Sequence, residues 1–300
     1  MDAVIDIGSN SVRLFVESGK AVTPKKLNTT QLAQGLANTG KLNNEAMVRT
    51  ADAVANFFVD AKNAGAGKVY IFGTEAMRCP GGETLKDMIF RRIGVETDII
   101  SGDEEALLGY MGATVCKGSN AVLDIGGASV ELIVGKDDDI IYKESLPLGV
   151  VRVKDCVGSD RREIEKYYSQ QITAYKKERA DRLIGIGGTA TSLASMILKQ
   201  QVYDADAIHG AVLTRGDIKN VTDVIFNCND IIALFPTIGA KRAGVIGHGA
   251  VLTGLIMDYL GYDSITVSER DNAEAVSYTH LLAHETAANI VFRLMLEKKN

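Results

Sequence analysis

Two aspartates, Asp6 and Asp124, occupy matching positions in a fourteen-residue segment that the chain carries twice, at 3–16 and 121–134, with nine positions identical. Each copy is an apolar run ending in aspartate, then small residues (Gly8-Ser9-Asn10-Ser11 and Gly126-Gly127-Ala128-Ser129), then a second apolar run. That order spells a β-hairpin whose tight loop leaves backbone N–H groups uncovered. Such a loop suits phosphate. Its amides and serine hydroxyls donate, and a carboxylate at the strand end holds a hard cation that bridges to phosphate oxygens. An isolated Asp-x-Gly is ordinarily a turn cap. A carboxylate ending a buried strand needs a partner, however, and the repeat makes that demand twice. Two such loops facing each other would grip a phosphate chain from both sides.

Three further segments carry candidate chemistry. Ser101-Gly102-Asp103-Glu104-Glu105-Ala106 precedes an apolar helical run, and Ser101 with Glu104 forms an S-x-x-E capping box. Consecutive helical residues point about 100° apart. With Glu104 turned back to the cap, Glu105 is the freer carboxylate for general-base work, although acidic first-turn residues also serve the helix dipole. Gly73-Thr74-Glu75-Ala76-Met77-Arg78 follows a strand and opens a helix. Arg78 there presents a planar fork to phosphate oxygens or is simply an ion-pair partner at the surface. Gly187-Gly188-Thr189, between strand and helix, sets N–H groups at a helix N-terminus where an anion binds, though glycine pairs are also common turns. The basic pairs Lys25-Lys26, Arg91-Arg92, Arg161-Arg162, Lys176-Lys177 and Lys241-Arg242 read as solvated faces.

The elements that position these residues alternate. Apolar spacing predicts helices over 43–64, 103–115, about 161–179 and 187–199, and strands over 68–72, 95–100, 140–146 and 182–186, besides the two hairpins. Strands alternating with helices mean an α/β class. The length of 300 residues and the offset between copies predict two domains, 1–118 and 119–275. With 46% hydrophobic residues there is ample material for two cores, and a net charge of −5 speaks against a nucleic-acid or anionic-membrane partner. No secretory leader is expected. The glycine-rich apolar stretch 243–260, interrupted by His248 and Asp258, reads as a packed core helix and not a membrane span. A cytoplasmic location follows, with Cys79, Cys116, Cys156 and Cys228 as free thiols in a reducing compartment.

Taken together, these residues resemble the exopolyphosphatase and guanosine pentaphosphate phosphohydrolase family of the actin-like ATPase superfamily. The resemblance runs from Ala3 to about Asn272. It rests on Asp6 to Leu14, Gln34-Gly35-Leu36 with Gly40, Thr74 to Arg78, Ser101 to Ala106, Asp124 to Leu132, Leu146-Pro147-Leu148-Gly149 and Gly187-Gly188-Thr189. It implies two ribonuclease H-like domains with mixed β-sheets flanked by helices, closing on an interdomain cleft. It further implies a phosphoanhydride hydrolase acting on polyphosphate or guanosine pentaphosphate. Glu105 would then be the base and Arg78 the charge-balancing arginine. Asp6, Asp124 and Glu131 would hold Mg2+ (or Mn2+). Ser9, Asn10, Ser11, Gly126, Gly127, Ala128, Ser129, Gly187, Gly188 and Thr189 would cradle phosphate. A homodimer is compatible with these residues, whose sequence does not fix the oligomeric state. The rival readings are an ATP-dependent sugar or acyl kinase of the same superfamily and a non-catalytic sensor of guanosine penta- or tetraphosphate.

Departures from the family pattern carry their own expectations. Ala128 replaces a glycine, and if that position needs φ > 0 or a close backbone approach the alanine costs about 1 kcal/mol and weakens the phosphate grip. Cys79-Pro80-Gly81-Gly82 departs from the family's usual residues after the arginine, which puts that loop's shape in question. Asp271-Asn272 begins a family-like motif that is not continued. From about Val276 the text resembles a translated sequencing-adapter tail, so 276–300 is expected to be non-native. His280 and His284, at a metal-compatible i, i+4 spacing, are read as part of an exposed or disordered tail.

Overall fold

The computed structural model describes residues 2–16, 26–114, 118–137, 139–270 and 275–276. Cys116, Asp271-Asn272, His280 and His284 lie outside the described residues, and Cys79, Cys156 and Cys228 are free thiols. The first half runs β1 (Ala3–Ile7), β2 (Ser11–Val16), β3 (Lys26–Thr29), α1 (Leu36–Thr39), α2 (Asn44–Asn63), β4 (Val69–Gly73), a 3-10 turn over Glu75–Arg78, α3 (Gly82–Ile93), β5 (Asp98–Ile99) and α4 (Gly102–Ala113). The second begins β6 (Ser119–Ile125), β7 (Val130–Lys136), β8 (Asp139–Leu146), α5 (Val150–Val157), α6 (Arg161–Gln171), β9 (Arg182–Ile186) and α7 (Gly187–Ile197). It continues α8 (Ala205–Ile208), β10 (Val212–Thr214), α9 (Arg215–Asn227), α10 (Ile231–Leu234), α11 (Ala240–Leu260) and β11 (Ser264–Val267).

The two sheets repeat one topology. The first is ordered β3-β2-β1-β4-β5 and the second β8-β7-β6-β9-β11, with β10 added beyond β11. In each, a hairpin of two antiparallel strands is joined through a helical crossover to a parallel strand on the far side of its first strand. This is the mixed, helix-flanked α/β architecture that the resemblance implied. The five residues of β1 are buried without alternation, as expected of a strand covered on both faces.

Register places the chemistry. Asp6 pairs with Arg13 across the first hairpin and Asp124 with Glu131 across the second. On the other side, Asp6 neighbours Phe72 and Asp124 neighbours Ile186 in the parallel strands. Each aspartate therefore stands at the carboxyl end of a central strand, beside the residues that leave its parallel neighbour: Thr74-Glu75 in one sheet, Gly187-Gly188 in the other. Crevices at strand carboxyl ends are the customary binding place of open α/β sheets.

The helix α4 belongs to both halves. Its Leu108 packs with Val4, Phe15 and Phe72 of the first sheet, and its Ala106, Tyr110 and Ala113 pack with Val122, Ile133, Ile184 and Ile186 of the second. Ala275 and Val276, far along the chain, return to the first sheet in the same cluster as Leu108. Among the described residues α11 is the one helix long and apolar enough to cross a membrane. It is largely buried against α5, α6, α7 and α9, the core helix that its glycine-rich sequence predicts.

Candidate active site

Both hairpin loops are built alike. Gly8 N–H donates to the Ser11 carbonyl at 3.0 Å, and Gly126 N–H to the Ser129 carbonyl at 3.0 Å. The loops meet face to face: a Cβ placed on Gly127 would lie 3.1 Å from the Asn10 nitrogen and 3.1 Å from Ser9 Cβ. Each loop is braced from behind. Val150, Val151 and Arg152, opening α5, donate their N–H groups to the carbonyls of Gly126 and Gly127, and Gly149 donates to that of Ala128. In a trans peptide the carbonyl and the following N–H point opposite ways. The N–H groups of Gly127, Ala128 and Ser129 are accordingly aimed away from α5, an anion-binding nest. On the first loop the Ser9 carbonyl accepts from Ala33, which turns the Asn10 N–H the other way in the same manner.

Between the loops lies a cavity of about 60 Å³. Asp6, Glu75, Glu105, Asp124 and Glu131 bring five carboxylates to its wall, and Arg13 and Arg242 bring two guanidinium groups. Ser9, Asn10, Ser11, Gly126, Gly127, Ser129 and Gly188 line it as well. Past Arg13, Gly188 and Arg242 the crevice continues into a larger cleft of about 1050 Å³, whose wall includes Asn28, Thr191, Tyr203, Lys241 and Glu269.

The capping box forms as the sequence predicts. Ser101 Oγ accepts from Glu104 N–H at 3.2 Å, and Glu104 Oε2 accepts from Ser101 N–H at 2.8 Å. Glu105 is thereby left to face the cavity, where it is 9% exposed. Burial, first, and then the charges of Asp6 and Glu75 push its carboxyl up to about 7 against the opposing pull of Arg78. Glu131 is held well above the ordinary carboxylate range by burial and by Glu105 and Asp124, although Ser145 Oγ donates to it at 2.7 Å. Carboxylates this crowded and this buried need positive charge between them. An all-oxygen donor set suits a hard divalent cation. Among the described residues no three acidic, histidine or cysteine side chains close into a ready-made cage.

Several residues stand elsewhere than their sequence context implied. Arg78 is not on the cavity wall. Its Nη1 donates to Glu105 Oε2 and to the Ile100 carbonyl, both at 2.9 Å, and its Nη2 to Glu75 Oε2 at 2.9 Å. The hydroxyl of Thr189 is spent inside the fold, donating to the Ile125 carbonyl at 2.7 Å. Gly187, at φ +75°, packs so close to Asp124 that a Cβ would lie 2.4 Å from its Oδ1. Ala128 is not among the residues with positive φ, and its methyl is fully buried in the main core. The expected backbone strain is absent because the close approach falls on its neighbour in space: a Cβ on Gly149 would lie 2.3 Å from backbone atoms of Gly127 and Ala128.

Arg13 and Arg242 face the cavity without having been read from the sequence. Arg13 was visible as the partner of Glu131 in the repeat. Arg242 was read within a solvated basic pair, yet its guanidinium enters the crevice through space left by Gly188, where a Cβ would lie 2.3 Å from Nη2. Burial, and next the neighbouring Arg13, lower Arg242 to about 10. Arg13 Nη1 lies 3.9 Å from Asp6 Oδ2, and the two guanidinium groups together give this wall a positive face toward the cleft.

Comparison with known proteins agrees with this chemistry. A model of the Ppx/GppA phosphatase family matches residues 16–284. The chain is 31% identical to the bifunctional 3-dehydroquinate synthase/phosphatase of Fusobacterium nucleatum, the match covering 90% of this chain and 45% of that protein. It is 28% identical to exopolyphosphatase 2 of Mycobacterium tuberculosis, over 92% of this chain and 97% of that one. With the guanosine-5'-triphosphate,3'-diphosphate pyrophosphatase of Aliivibrio fischeri it shares 27% identity over 93% and 59%. The chain thus spans about half the length of the first and third relatives and nearly all of the second. Its structure superposes on the Aquifex aeolicus Ppx/GppA family member with a TM-score of 0.76 at 25% identity, covering 94% of this chain and 98% of that one. An exopolyphosphatase from Cytophaga hutchinsonii shares the fold with a TM-score of 0.83 at 24% identity, covering 95% and 98%. The matched span holds the second hairpin, the helix bearing Glu105 and the Gly187-Gly188-Thr189 helix start, and on that extent the chain belongs to the Ppx/GppA phosphatase family.

Proposed function

We propose that this chain releases terminal phosphate from inorganic polyphosphate, guanosine pentaphosphate or both, by in-line attack of water on the terminal phosphoanhydride. The observation that carries the reading is the pair of braced hairpin loops meeting over one small cavity that also receives a buried carboxylate, Glu105. The family relatives named above as an exopolyphosphatase and a pentaphosphate pyrophosphatase support it.

The terminal phosphoryl group sits between the loops and accepts from the N–H groups of Gly127, Ala128 and Ser129 and from the hydroxyl of Ser9, while the Ser11 hydroxyl donates to Thr29 Oγ1 and that of Ser129 to Glu131. Arg13 and Arg242 meet the negative charge on the leaving side, where the cavity opens into the larger cleft that accommodates the rest of the substrate. Asp6, Asp124 and Glu131 would hold Mg2+ or Mn2+, which supplies charge neutralisation at the phosphate oxygens. Glu105 takes the proton of the attacking water. With its carboxyl raised to about 7, it is a stronger base than an exposed glutamate while still largely ionised slightly above neutrality. Arg78 acts from behind, keeping that carboxylate oriented and partly compensated. Positioning and charge stabilisation supply most of the rate, as in phosphoryl transfer generally.

The test is phosphate release from long-chain polyphosphate, guanosine pentaphosphate and ATP in the presence of Mg2+, for the wild type and Glu105→Gln. Release is expected from at least one of the first two, falling about 10² to 10⁴-fold in the variant. Unchanged release by Glu105→Gln refutes the assignment of the base. ATP consumption only with an added sugar or acyl acceptor, or tight binding with no release at all, refutes the hydrolase.

A further inference from the structure

A relay of alternating charges runs from the second phosphate loop to the water-activating carboxylate. Arg152 Nε donates to the Ala128 carbonyl at 2.8 Å, and its Nη2 lies 3.5 Å from Glu75 Oε1. Glu75 Oε2 accepts from Arg78 Nη2 at 2.9 Å, and Arg78 Nη1 donates to Glu105 Oε2 at 2.9 Å. Arg152 belongs to α5 on the second sheet, whereas Glu75, Arg78 and Glu105 follow strands of the first. The Arg152–Glu75 pair is therefore the step at which the relay crosses the cleft. Two carboxylates and two guanidinium groups leave it neutral. Its side chains are between 11% and 25% exposed, so the ion pairs are less screened than surface ones.

We propose that Glu75 and Arg152 are positioning residues for hydrolysis: through Arg78 they fix the Glu105 carboxylate relative to the loop that holds the phosphoryl group. This rests on the reading of Glu105 as the base. Arg78 is pinned on one edge by Ile100 and Glu105 and on the other by Glu75. Without Glu75 that second edge is released and the guanidinium swings, taking the carboxylate with it. Arg152 ties the same carboxylate to the Ala128 carbonyl, so base and phosphate move as one unit when the lobes shift. Angstrom-scale misplacement of reacting groups costs on the order of 10²-fold in rate.

The experiment measures steady-state phosphate release with Mg2+ for the full chain as wild type, Glu75→Gln, Arg152→Gln, Glu105→Gln and the pairwise doubles, with melting temperatures alongside. Glu75→Gln is expected to lower kcat about 10- to 100-fold with KM held within about threefold. The Glu75/Arg152 double should be no slower than the slower single. The decisive arm is Glu75→Gln on the Glu105→Gln background. There it should cost nothing further, whereas a merely structural loss would cost the same fold again. A further drop on that background, or wild-type kcat in Glu75→Gln, overturns the proposal. If Glu105→Gln is itself fully active, the base reading fails first. If Glu105→Gln is impaired while Glu75→Gln and Arg152→Gln are not, only the relay falls. Should Glu75→Gln melt early, Glu75→Asp, which keeps the charge and shortens the reach, gives the same test.

Discussion

Gly149→Ala isolates the brace behind the second phosphate loop. Gly149 has φ −60° and ψ 150°, a conformation alanine adopts freely, so the substitution carries no backbone penalty. Its cost is contact alone. The new methyl would stand 2.3 Å from the Ala128 carbon and nitrogen and from the Gly127 carbon, against an ordinary contact of at least 3.4 Å. These are backbone atoms with no flexible end to yield, so α5 and the loop must part by about 1 Å. Overpacking of this kind costs about 1–3 kcal/mol, with about 2 to 4 °C of melting temperature per kcal/mol. The catalytic cost is larger in proportion, because the loop that moves is the one whose N–H groups aim at the phosphoryl group, and a shift of about 1 Å is worth about 10²-fold. The assay pairs phosphate release under kcat/KM conditions with thermal unfolding, with Gly216→Ala as the control. Gly216 lies in the first turn of α9, where a Cβ meets nothing closer than Thr214 Oγ1 at 3.5 Å. That control should keep full activity and melt no earlier than wild type. A Gly149→Ala protein that melts early yet retains wild-type kcat/KM would refute the argument, since it would show that displacing the loop does not displace the phosphate.

Gly188→Ala should behave in the opposite way: its methyl collides with Arg242 Nη2, the far end of a flexible side chain, so stability is kept while Arg242 is pushed from the crevice and KM rises about tenfold. Unchanged KM with an unchanged melt would remove Arg242 from the substrate site. The raised carboxyl of Glu105 sets a sign for stability against pH. The folded protein keeps a proton there that the unfolded chain has lost, so the stabilisation is present below about pH 4.5 and lost as pH rises through about 7. Measured in chelator as the difference between wild type and Glu105→Gln, stability should fall by on the order of 3 kcal/mol over that window, and a flat difference would contradict the burial argument. Chelation should abolish phosphate release and Mg2+ or Mn2+ restore it, whereas release that persists in chelator would mean the crowded carboxylates are neutralised by protons instead.

The parts of the site that could be read from the sequence are those fixed by bonds among near neighbours. The hairpins announce themselves by small residues after an aspartate, and the Ser101–Glu104 box is a contact over three residues, so reading Glu105 as the freer carboxylate needed no fold. Arg242 and Arg152 were opaque for the complementary reason, as was the packing role of Gly149 within its family-like stretch. A basic pair at a helix start has the same appearance whether it meets solvent or a glycine-made opening, and Gly149 is required by a backbone that arrives from 21 residues earlier in the chain. Glu105 combines both cases. Its direction is local, but its raised pKa comes from desolvation, and desolvation comes from α4 being packed by Leu108 against the first sheet and by Ala106 and Tyr110 against the second. A domain boundary drawn after this helix assigns it to one half and hides the cause. The raised pKa that suits Glu105 to the proposed role of base exists because its helix is the wedge between the two lobes, so it depends on the lobes being packed together, and a substitution that loosens α4 from either sheet, such as Leu108→Ala, should lower that pKa without touching any charged group.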